Sequence, residues 1–577
     1  MLADEYKQLG KHIAGGAAFV SNFVLWNESG YFDNSASTKP LIHLWSLAVE
    51  EQFYITWPLL LWLAYRKRIN LLKLSIFVAF ISFCLNIYLV RTNISADFYF
   101  PQTRFWELMI GSLLAWMTLH MPIFSSANNL NSSYWNTKSA FRLEPDSFSN
   151  MLPNALSLVA VALLTYGFLR IDKNIGFPGE WALVPVLGSA LIIFVGPKAW
   201  INRALLSNKV LVWFGLISYP LYLWHWPLLS FARIIEGVSP SQNLRIAAVI
   251  ISIALAWLTF ILIERQVRFS NQRLIPAALC MLMAFIGSLG YYTYKENGFN
   301  FRVSEFAKLS DLNGEWEFPG KLTAFSYDGR TFYRQNSNKK DVTMFVGDSN
   351  MEQYYARADE LITSMPNKVN SIIFLTDYGC LPIPSSPYDD KHKHCITLME
   401  SALEYAKKDA NVKNIAISAL WNAYLSEGAA LNGNFQIGSK DYEESLNRLA
   451  DYIQQLKKAN KNVFLILGIP MAYELDPKYM ASRSFKNFPH ILNVRNGGVK
   501  REYIDNKYGK IQEDLSRIAN TNGAIIISPL NYLCNSVECP SIDNKGDLMY
   551  RDSTHLRASY VRKNAFFIDK ALFESAP

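Results

Sequence analysis

The chain has 577 residues, of which 50% are hydrophobic, 14% aromatic and only 18% charged, and its net charge is +8. This length excludes one ordinary domain, and a mean hydropathy of only +0.06 indicates that apolar membrane segments and a polar part share the chain. The basic excess does not indicate nucleic-acid binding, because most basic residues flank apolar runs, as they do in cytoplasmic loops of membrane proteins.

Apolar runs dominate the first half of the chain. About nine of them are long enough, at roughly 20 residues, to cross a bilayer, which predicts a multi-pass α-helical membrane bundle. They lie at Gly10–Trp26, Leu41–Ala64, Leu71–Val90, Arg104–Leu119, Leu152–Leu169, Trp181–Val195, Val210–Phe231, Leu244–Ile263 and Leu274–Tyr292.

The loops between these runs alternate in charge. Tyr65–Arg68, residues 198–209 and Glu264–Arg273 are basic and are expected in the cytoplasm by the positive-inside rule. Trp26–Thr38 and Ile171–Glu180 carry little positive charge and are expected outside. The alternation leaves the chain outside after its last span, so the polar half is expected to be extracytoplasmic.

Polar side chains interrupt the apolar runs in three blocks, Pro40–Pro58, Arg104–Gly111 and Ile217–Leu228. Charges inside a membrane are costly and by default mark a functional site. The alternative is that the first block is the aqueous end of a helix with interfacial aromatic residues. The candidate residues are His43, Glu50, Glu51, Arg104, Glu107, Tyr222 and His225.

Together with Ile263–Arg268, these blocks resemble the acyltransferase-3 family of integral membrane acyltransferases over about Leu2–Arg268. The motif HLWSLAVEEQFY is highly specific for this resemblance. The resemblance implies O-acylation, usually O-acetylation, of an extracytoplasmic glycan such as lipopolysaccharide O-antigen, peptidoglycan or another surface polysaccharide. It implies a bacterial inner membrane location, contact with membrane lipid, and cytoplasmic acyl-CoA, here acetyl-CoA, as donor, with no bound cofactor. The candidate residues would form the membrane acyl-transfer site.

Some members of this family carry an SGNH domain after one additional helix, which Leu274–Tyr292 would be here. Members usually begin with a helix that carries an arginine and a histidine proposed to be catalytic. In this chain residues 2–26 resemble the third family helix, so the first two helices and that histidine are expected to be absent, and His12 does not match the motif. An acyltransferase inactivated by N-terminal truncation is therefore an alternative.

The second half of the chain has a different sequence pattern from the first. Residues 295–340 are polar, which indicates a linker or accessory segment, and from residue 341 short β-type runs alternate with amphipathic stretches such as Tyr442–Ala459 and Ile504–Asn520. The alternation predicts an α/β domain whose parallel sheet is covered on both faces. The predicted division is a membrane domain (1–268), an additional transmembrane helix (269–294), a linker or accessory segment (295–340) and the α/β domain (341–577).

The stretch MFVGDSNMEQY places Ser349 between a predicted strand and a helix, where its hydroxyl would lie at the carboxyl edge of the sheet. A serine hydroxyl is a weak nucleophile and needs a base. The stretch YRDSTHLR near the C-terminus offers Asp552 and His555, three residues apart, and a carboxylate can hold a histidine in the right tautomer. Placement in the first strand and the last helix of one domain makes the combination more specific than either part.

This pattern resembles the SGNH (GDSL-like) hydrolases and esterases over roughly Val342–Leu572. The resemblance implies a flavodoxin-like three-layer fold, Ser349 as nucleophile, His555 as general base and Asp552 as its orienting partner. It also implies an oxyanion hole from the Ser349 N–H, Gly379 and Asn422. For Asn422 the alternative is a cap on the turn after the strand.

Four of the six cysteines, Cys380, Cys395, Cys534 and Cys539, lie in the polar half. An even number suits an oxidising compartment, and the local pairs Cys380–Cys395 and Cys534–Cys539 are favoured. The alternative is four free thiols in a cytosolic domain. No spacing resembles a metal site.

The sequence therefore favours an O-acyltransferase in which the membrane part takes an acetyl group from acetyl-CoA and Ser349 passes it to a glycan. A membrane-tethered carbohydrate esterase or deacetylase is the alternative, because the same triad can activate water. A transporter or a glycan-binding scaffold without chemistry is a third class.

Overall fold

The computed structural model describes residues 1–29, 36–120, 151–172, 175–236, 240–270, 274–299, 301, 315–385, 393–426, 437–480 and 498–573. The chain divides into two compact units, Met1–Asn300 and Phe301–Pro577. The first unit is helical, and the second is an α/β domain, as predicted.

Among the described residues of the first unit, five helical segments are long and apolar enough to cross a membrane. These are Leu71–Thr92, Met151–Arg170, Gly179–Lys198, Gln242–Arg268 and Leu274–Lys295. The α-helices of this unit are α1 (Ala3–Ala17), α2 (Ser21–Glu28), α3 (Leu44–Arg66), α4 (Leu71–Thr92), α5 (Ile94–Tyr99), α6 (Pro101–His120), α7 (Met151–Arg170), α8 (Leu183–Val195), α9 (Lys209–Glu236), α10 (Gln242–Thr259), α11 (Arg265–Arg268) and α12 (Leu274–Lys295).

The first apolar run does not form one helix across Gly10–Trp26. It breaks between α1 and α2, where Phe19 adopts a left-handed φ of 54°. Gly15 and Gly16 lie in the last turn of α1, and glycine is unfavourable in a helix, which helps to end α1 there. Helix α1 packs on α12. A Cβ at Gly10 would lie 2.7 Å from the Gly290 carbonyl oxygen, so glycine at this position allows the two helix backbones to approach closely.

The second unit is built on a seven-stranded sheet. The strands of this unit are β1 (Thr323–Tyr327), β2 (Arg330–Gln335), β3 (Val342–Gly347), β4 (Ser371–Thr376), β5 (Val412–Ser418), β6 (Asn462–Ile466), β7 (Gly498–Lys500), β8 (Ile525–Ile527), β9 (Glu538–Pro540), β10 (Tyr550–Asp552) and β11 (His555–Leu556). The order in the sheet is β1-β2-β4-β3-β5-β6-β8. Strands β4, β3, β5, β6 and β8 are parallel, whereas β2 pairs antiparallel with β4 and β1 with β2.

The parallel strands lie in the doubly wound order β4-β3-β5-β6-β8, in which the order of strand addition reverses at β3, and this is the predicted flavodoxin-like order. Met344 and Phe345 point to opposite faces of β3, and both are fully buried, so helices cover both sides of the sheet. The helices are α13 (Ser349–Glu352), α14 (Tyr355–Ser364), α15 (Leu398–Lys408), α16 (Trp421–Tyr424), α17 (Lys440–Lys458), α18 (Pro477–Met480), α19 (Arg501–Thr521), α20 (Leu530–Leu533), α21 (Ala558–Asn564) and α22 (Asp569–Phe573).

The sheet begins earlier than the predicted boundary at residue 341. β1 and β2 form a hairpin at its edge, inside residues 295–340, which were predicted as a linker or an accessory segment, and the pairing of β2 with β4 fits the second of these. Asp328 and Gly329 both have positive φ at the hairpin turn, and Asp-Gly is a strong hairpin signal. Of the eleven residues in its two strands only Phe332 is buried, so the hairpin lacks the continuous apolar run by which the central strands were recognised.

Disulfide bonds join Cys380 to Cys395 and Cys534 to Cys539, with Cα–Cα distances of 5.3 and 4.0 Å. Both closures are local, as expected for the favoured pairing. The first one closes the loop that follows β4, at the carboxyl edge of the sheet.

Candidate active site

The turn after β3 presents Ser349. A Cβ on Gly347 would lie 1.9 Å from the Ser418 carbonyl oxygen, so glycine is required where the ends of β3 and β5 come together. Asp348 is the N-cap of α13, and its side chain accepts a hydrogen bond from the Asn350 N–H at 2.8 Å. The strand end and the cap together fix the backbone that carries the Ser349 hydroxyl at the carboxyl edge of the sheet.

Asp348 also ties this turn to the loop after β5. Its carboxylate is fully buried and accepts hydrogen bonds from the Tyr424 hydroxyl at 2.8 Å and the Leu420 N–H at 3.1 Å. Burial raises the pKa of Asp348, and these hydrogen bonds oppose the rise. We therefore assign Asp348 the role of holding the nucleophile turn.

Ser349, His555 and Asp552 form a continuous chain of polar contacts. Ser349 Oγ lies 2.9 Å from His555 Nε2, and His555 Nδ1 lies 2.9 and 3.0 Å from the two carboxylate oxygens of Asp552. If Asp552 holds the proton on Nδ1, Nε2 is left to accept the serine proton. The structure thus brings together the three residues that the sequence singled out, 206 positions apart in the case of Ser349 and His555.

The acid and the base of this triad lie on a hairpin and not on a helix. Asp552 pairs with His555 across β10 and β11, and α21 begins only at Ala558. The Thr554 N–H and hydroxyl donate to Asp552 Oδ1 at 2.9 and 2.8 Å. A tight turn therefore supplies the three-residue spacing that a helix was expected to supply.

The charge state of Asp552 suits this role. Burial acts to raise its pKa, but the attraction of His555 and the hydrogen bonds from His555 and Thr554 outweigh it, so the pKa of Asp552 lies well below its usual value. The carboxylate is ionised at neutral pH and can stabilise an imidazolium on His555.

Glu352 is a second carboxyl group near the triad that sequence reasoning did not single out. It lies one helical turn after Ser349 and accepts a hydrogen bond from the Thr376 hydroxyl at 2.8 Å. Burial raises the pKa of Glu352 to about 7, although that hydrogen bond opposes the rise. Its position three residues from the nucleophile was a signal that could have identified it.

Trp316 was missed for a different reason. Its indole lies against the His555 imidazole with ring centroids 5.4 Å apart and an angle of 86° between the planes. The residue belongs to the segment predicted as a linker or accessory segment, and nothing in the local sequence points to a catalytic histidine more than 200 positions away.

Gly379 and Asn422, the two predicted partners of the Ser349 N–H in the oxyanion hole, follow β4 and β5, the two strands that flank β3. Gly379 has a φ of 69° in the loop after β4, next to the Cys380–Cys395 disulfide. Asn422 is buried in α16, where its amide donates to the Ile469 carbonyl at 3.0 Å and its side-chain oxygen accepts from Gln512 at 2.9 Å. Their role at an oxyanion stays a prediction.

Three of the predicted membrane residues meet in one cluster. The ring centroid of His43 lies 5.2 Å from that of Tyr222 and 6.0 Å from that of His225. The Tyr222 hydroxyl donates a hydrogen bond to the His43 carbonyl oxygen at 2.5 Å. Arg104 and Glu107 pair at 3.2 Å in α6. Glu50 and Glu51 are half-buried in α3.

His12, which does not match the family motif, takes part in an ion cluster of the first unit. Its Nε2 lies 2.8 Å from the Glu28 carboxylate, which also binds Lys11 at 2.9 Å and Lys39 at 3.1 Å. One carboxylate thus collects three basic side chains from α1 and the segment before α3.

Among the described residues, Cys380, His394 and Cys395 have donor atoms within 4.8 Å of one another. The two cysteines are joined as a disulfide and carry no thiolates for a metal. This group therefore gives no argument for a metal centre.

Comparison with known families assigns both units. A model of an acyltransferase domain matches residues 10–265, and a model of the SGNH domain that is fused to such acyltransferase domains matches residues 320–565. The two matches do not overlap and fall within the two compact units of the structure.

Individual relatives agree with this assignment. A Haemophilus influenzae protein of unassigned function is 34% identical over 33% of this chain and 72% of its own length. A Staphylococcus aureus protein named as an O-acetyltransferase is 31% identical over 39% of this chain, and the peptidoglycan O-acetyltransferase OatA of Listeria monocytogenes is 29% identical over 46%. These alignments span 35% and 42% of the latter two relatives.

A solved structure, the periplasmic domain of a Salmonella Paratyphi A lipopolysaccharide acetyltransferase, aligns with 41% of this chain and 83% of its own length. The identity is 17% and the TM-score 0.30.

Proposed function

The chain belongs to the family of membrane acyltransferases that carry a fused SGNH domain, and from this premise we propose that it O-acetylates an extracytoplasmic glycan with acetyl-CoA as the donor. The observation that carries the proposal is the Ser349–His555–Asp552 triad, with contacts of 2.9 Å, in the same chain as the acyltransferase helices. The O-acyltransferase class predicted from the sequence is confirmed at the level of the family.

In the proposed relay, the membrane unit takes the acetyl group from acetyl-CoA in the cytoplasm and presents it outside. The cluster of His43, Tyr222 and His225 is the proposed place of this step, because it concentrates polar groups in an apolar bundle. The acetyl group then passes to Ser349, since no acetyl-CoA is expected outside the cytoplasm.

The second half of the relay uses the triad. His555 accepts the proton of Ser349 as its Oγ attacks the acetyl carbonyl, and the oxyanion is held by donors at the carboxyl edge of the sheet, for which the Ser349 N–H, Gly379 and Asn422 are the candidates. The bond from the carbonyl carbon to the group that carried the acetyl then breaks, and His555 gives the proton to that leaving group. A sugar hydroxyl next attacks the acyl-enzyme, and His555 takes the proton of that hydroxyl.

The proposed acceptor is lipopolysaccharide O-antigen or another surface polysaccharide, reached from a bacterial inner membrane with the SGNH domain on the outer side. The basic loops and the two disulfides support this orientation. The Listeria relative, named for peptidoglycan, supports a sugar hydroxyl as the acceptor group.

The proposal is tested by replacing Ser349 with Ala in cells that make an O-acetylated surface glycan through this protein alone. Glycan acetate, measured after mild alkaline release, should fall to background while the protein level in the membrane is unchanged. Retention of full acetylation would contradict the relay. Release of acetate from a supplied acetylated glycan, without transfer, would instead identify an esterase.

A further inference from the structure

The nucleophile and the base of the triad are shielded from solvent. Ser349 is fully buried, and only 2% of His555 is exposed. Asp552 and Thr554 occupy the Nδ1 side of the imidazole, and Ser349 occupies the Nε2 side. Trp316 contacts the ring itself, so an indole from outside the sheet forms part of the cover over the general base.

Trp316 is held in place from both sides along the chain. It lies in residues 315–318, here called the strap. Glu315 pairs with Arg557 at 3.2 Å and accepts hydrogen bonds from the Ser559 N–H and hydroxyl at 3.1 and 2.8 Å. These contacts fix the strap to the start of α21, immediately after the catalytic hairpin.

The other end of the strap enters the core. Glu317 pairs with Arg562 of α21, and the Phe318 ring packs against Tyr333 and Phe374, with centroids 5.3 and 5.5 Å apart. The strap is therefore part of the folded α/β domain.

Arg551 holds the indole from a further direction. Its guanidinium lies 5.2 Å from the centre of the Trp316 ring, which is a cation–π distance, and 3.8 Å from the Asp552 carboxylate. The indole, the arginine and the triad acid thus form one packed group around His555.

We propose that Trp316 is a positioning residue that excludes water from His555 and so directs the acyl-enzyme toward a sugar hydroxyl and away from hydrolysis. This inference rests on the proposed function, because it concerns the second step of that relay. A transferase with a serine acyl-enzyme faces water at very high concentration, and exclusion of water is a recognised means of preventing hydrolysis of a reactive intermediate.

The two competing reactions have the same balance of bonds. In transfer, the sugar oxygen forms a bond to the acetyl carbonyl carbon, its proton moves to His555 Nε2, the bond from that carbon to Ser349 Oγ breaks, and His555 returns the proton to Oγ. In hydrolysis, water takes the place of the sugar and acetate leaves. The product depends on whether a sugar hydroxyl or a water molecule reaches His555, and Trp316 forms part of the cover over the His555 ring.

The test uses the full-length protein in detergent with p-nitrophenyl acetate, which can acylate Ser349 without acetyl-CoA. The burst of p-nitrophenol reports acylation, and the following steady rate reports deacylation by water. De-O-acetylated lipopolysaccharide O-polysaccharide is then added, and the share of acetyl groups transferred to it is measured.

Trp316→Ala should raise the rate of deacylation by water about fivefold or more and lower the share transferred to the glycan. Trp316→Phe should restore much of the wild-type partition, because a ring still packs on His555. Tyr473→Ala, which removes an exposed ring elsewhere in the domain, is the matched control and should change neither quantity. An unchanged or lower deacylation rate in Trp316→Ala with an intact burst would overturn the inference.

If Trp316→Ala loses its burst, Glu315→Gln decides the matter, because it weakens the anchor of the strap and keeps the indole. A faster deacylation by water in that variant supports the inference, and an unchanged rate overturns it. A wild-type protein that is acylated but transfers nothing to the glycan would contradict the proposed function, and the deacylation rates of the variants would still decide the role of Trp316.

Discussion

At the scale of single residues, the triad depends on one carboxylate that stays ionised. The pKa of Asp552 is held below its usual value by His555 and Thr554 despite burial, so His555 keeps a fixed partner at neutral pH. The amide of asparagine has the same shape but can present an N–H to Nδ1, which favours the wrong tautomer.

Asp552→Asn should therefore lower the rate of Ser349 acylation by p-nitrophenyl acetate by roughly 10³- to 10⁴-fold with little change in folding. Burst kinetics of the purified full-length protein measure this effect, and its thermal unfolding serves as the control. A loss of less than about tenfold would show that Asp552 does not orient His555.

Glu352 gives the α/β domain a dependence of stability on pH. Its pKa in the folded protein, about 7, lies above the ordinary value of 4.5, so the folded state binds more protons than the unfolded state between these values. Stability from this group is present at acidic pH, falls as pH rises through that window and levels off above it.

Glu352→Gln should remove this loss, which is on the order of 3 kcal/mol at its upper limit. Thermal unfolding at about pH 5 and about pH 8 should show a gain over the wild type at the higher pH alone. Glu404→Gln, at an exposed carboxylate of α15, is the control and should follow the wild type. An equal gain at both pH values would argue against titration of Glu352.

At the scale of elements, the hairpin β1–β2 and the disulfide loop stabilise each other at the edge of the sheet. Arg330 of β2 donates to the Thr397 hydroxyl at 3.2 Å and to the carbonyl oxygens of His394 and Ile396. These residues surround Cys395, whose disulfide holds the loop of Gly379. An element that resembled a linker thus supports a predicted part of the site.

Replacing both Cys380 and Cys395 with Ser should destabilise the α/β domain by about 2–4 kcal/mol, because the disulfide closes a 15-residue separation. Acylation of Ser349 should also slow, since the loop of Gly379 becomes less ordered. The matched comparison replaces Cys534 and Cys539 with Ser. Their disulfide joins residues only 5 positions apart, so its loss should have a smaller effect on both stability and acylation.

At the scale of the whole molecule, the proposed relay requires that the membrane unit take acetyl-CoA from the cytoplasm while the α/β domain lies outside. The basic loop at the end of α3 is expected in the cytoplasm and the α/β domain outside. The proposal therefore makes a definite statement about which surface positions a membrane-impermeant reagent can reach.

In a background with Cys84 and Cys280 replaced by Ser, Tyr532→Cys in the exposed surface of the α/β domain should react with an impermeant maleimide in intact spheroplasts. Lys67→Cys, after α3, should react only after lysis. Labelling in the opposite order would place the SGNH domain in the cytoplasm and remove the reason for a relay.

Several secondary-structure elements and the triad residues could be predicted from local sequence patterns, because burial and backbone geometry set those patterns within a short segment. The strand predicted before Ser349 is observed as β3, and the helix predicted around Ile504–Asn520 is observed as α19. Both could be predicted because a fully buried strand must be a continuous apolar run and an amphipathic helix must repeat its apolar face. Ser349, Asp552 and His555 could be named because their residue types and spacing carry the chemistry.

The tertiary structure decided what depends on distant contacts. It placed Trp316 on His555, raised the pKa of Glu352 through burial, and put Asp552 and His555 on a hairpin. It also recruited the segment before residue 341 into the sheet. The position of Trp316 and the raised pKa of Glu352 show in no local pattern, because both arise where segments far apart in the chain exclude water from one another.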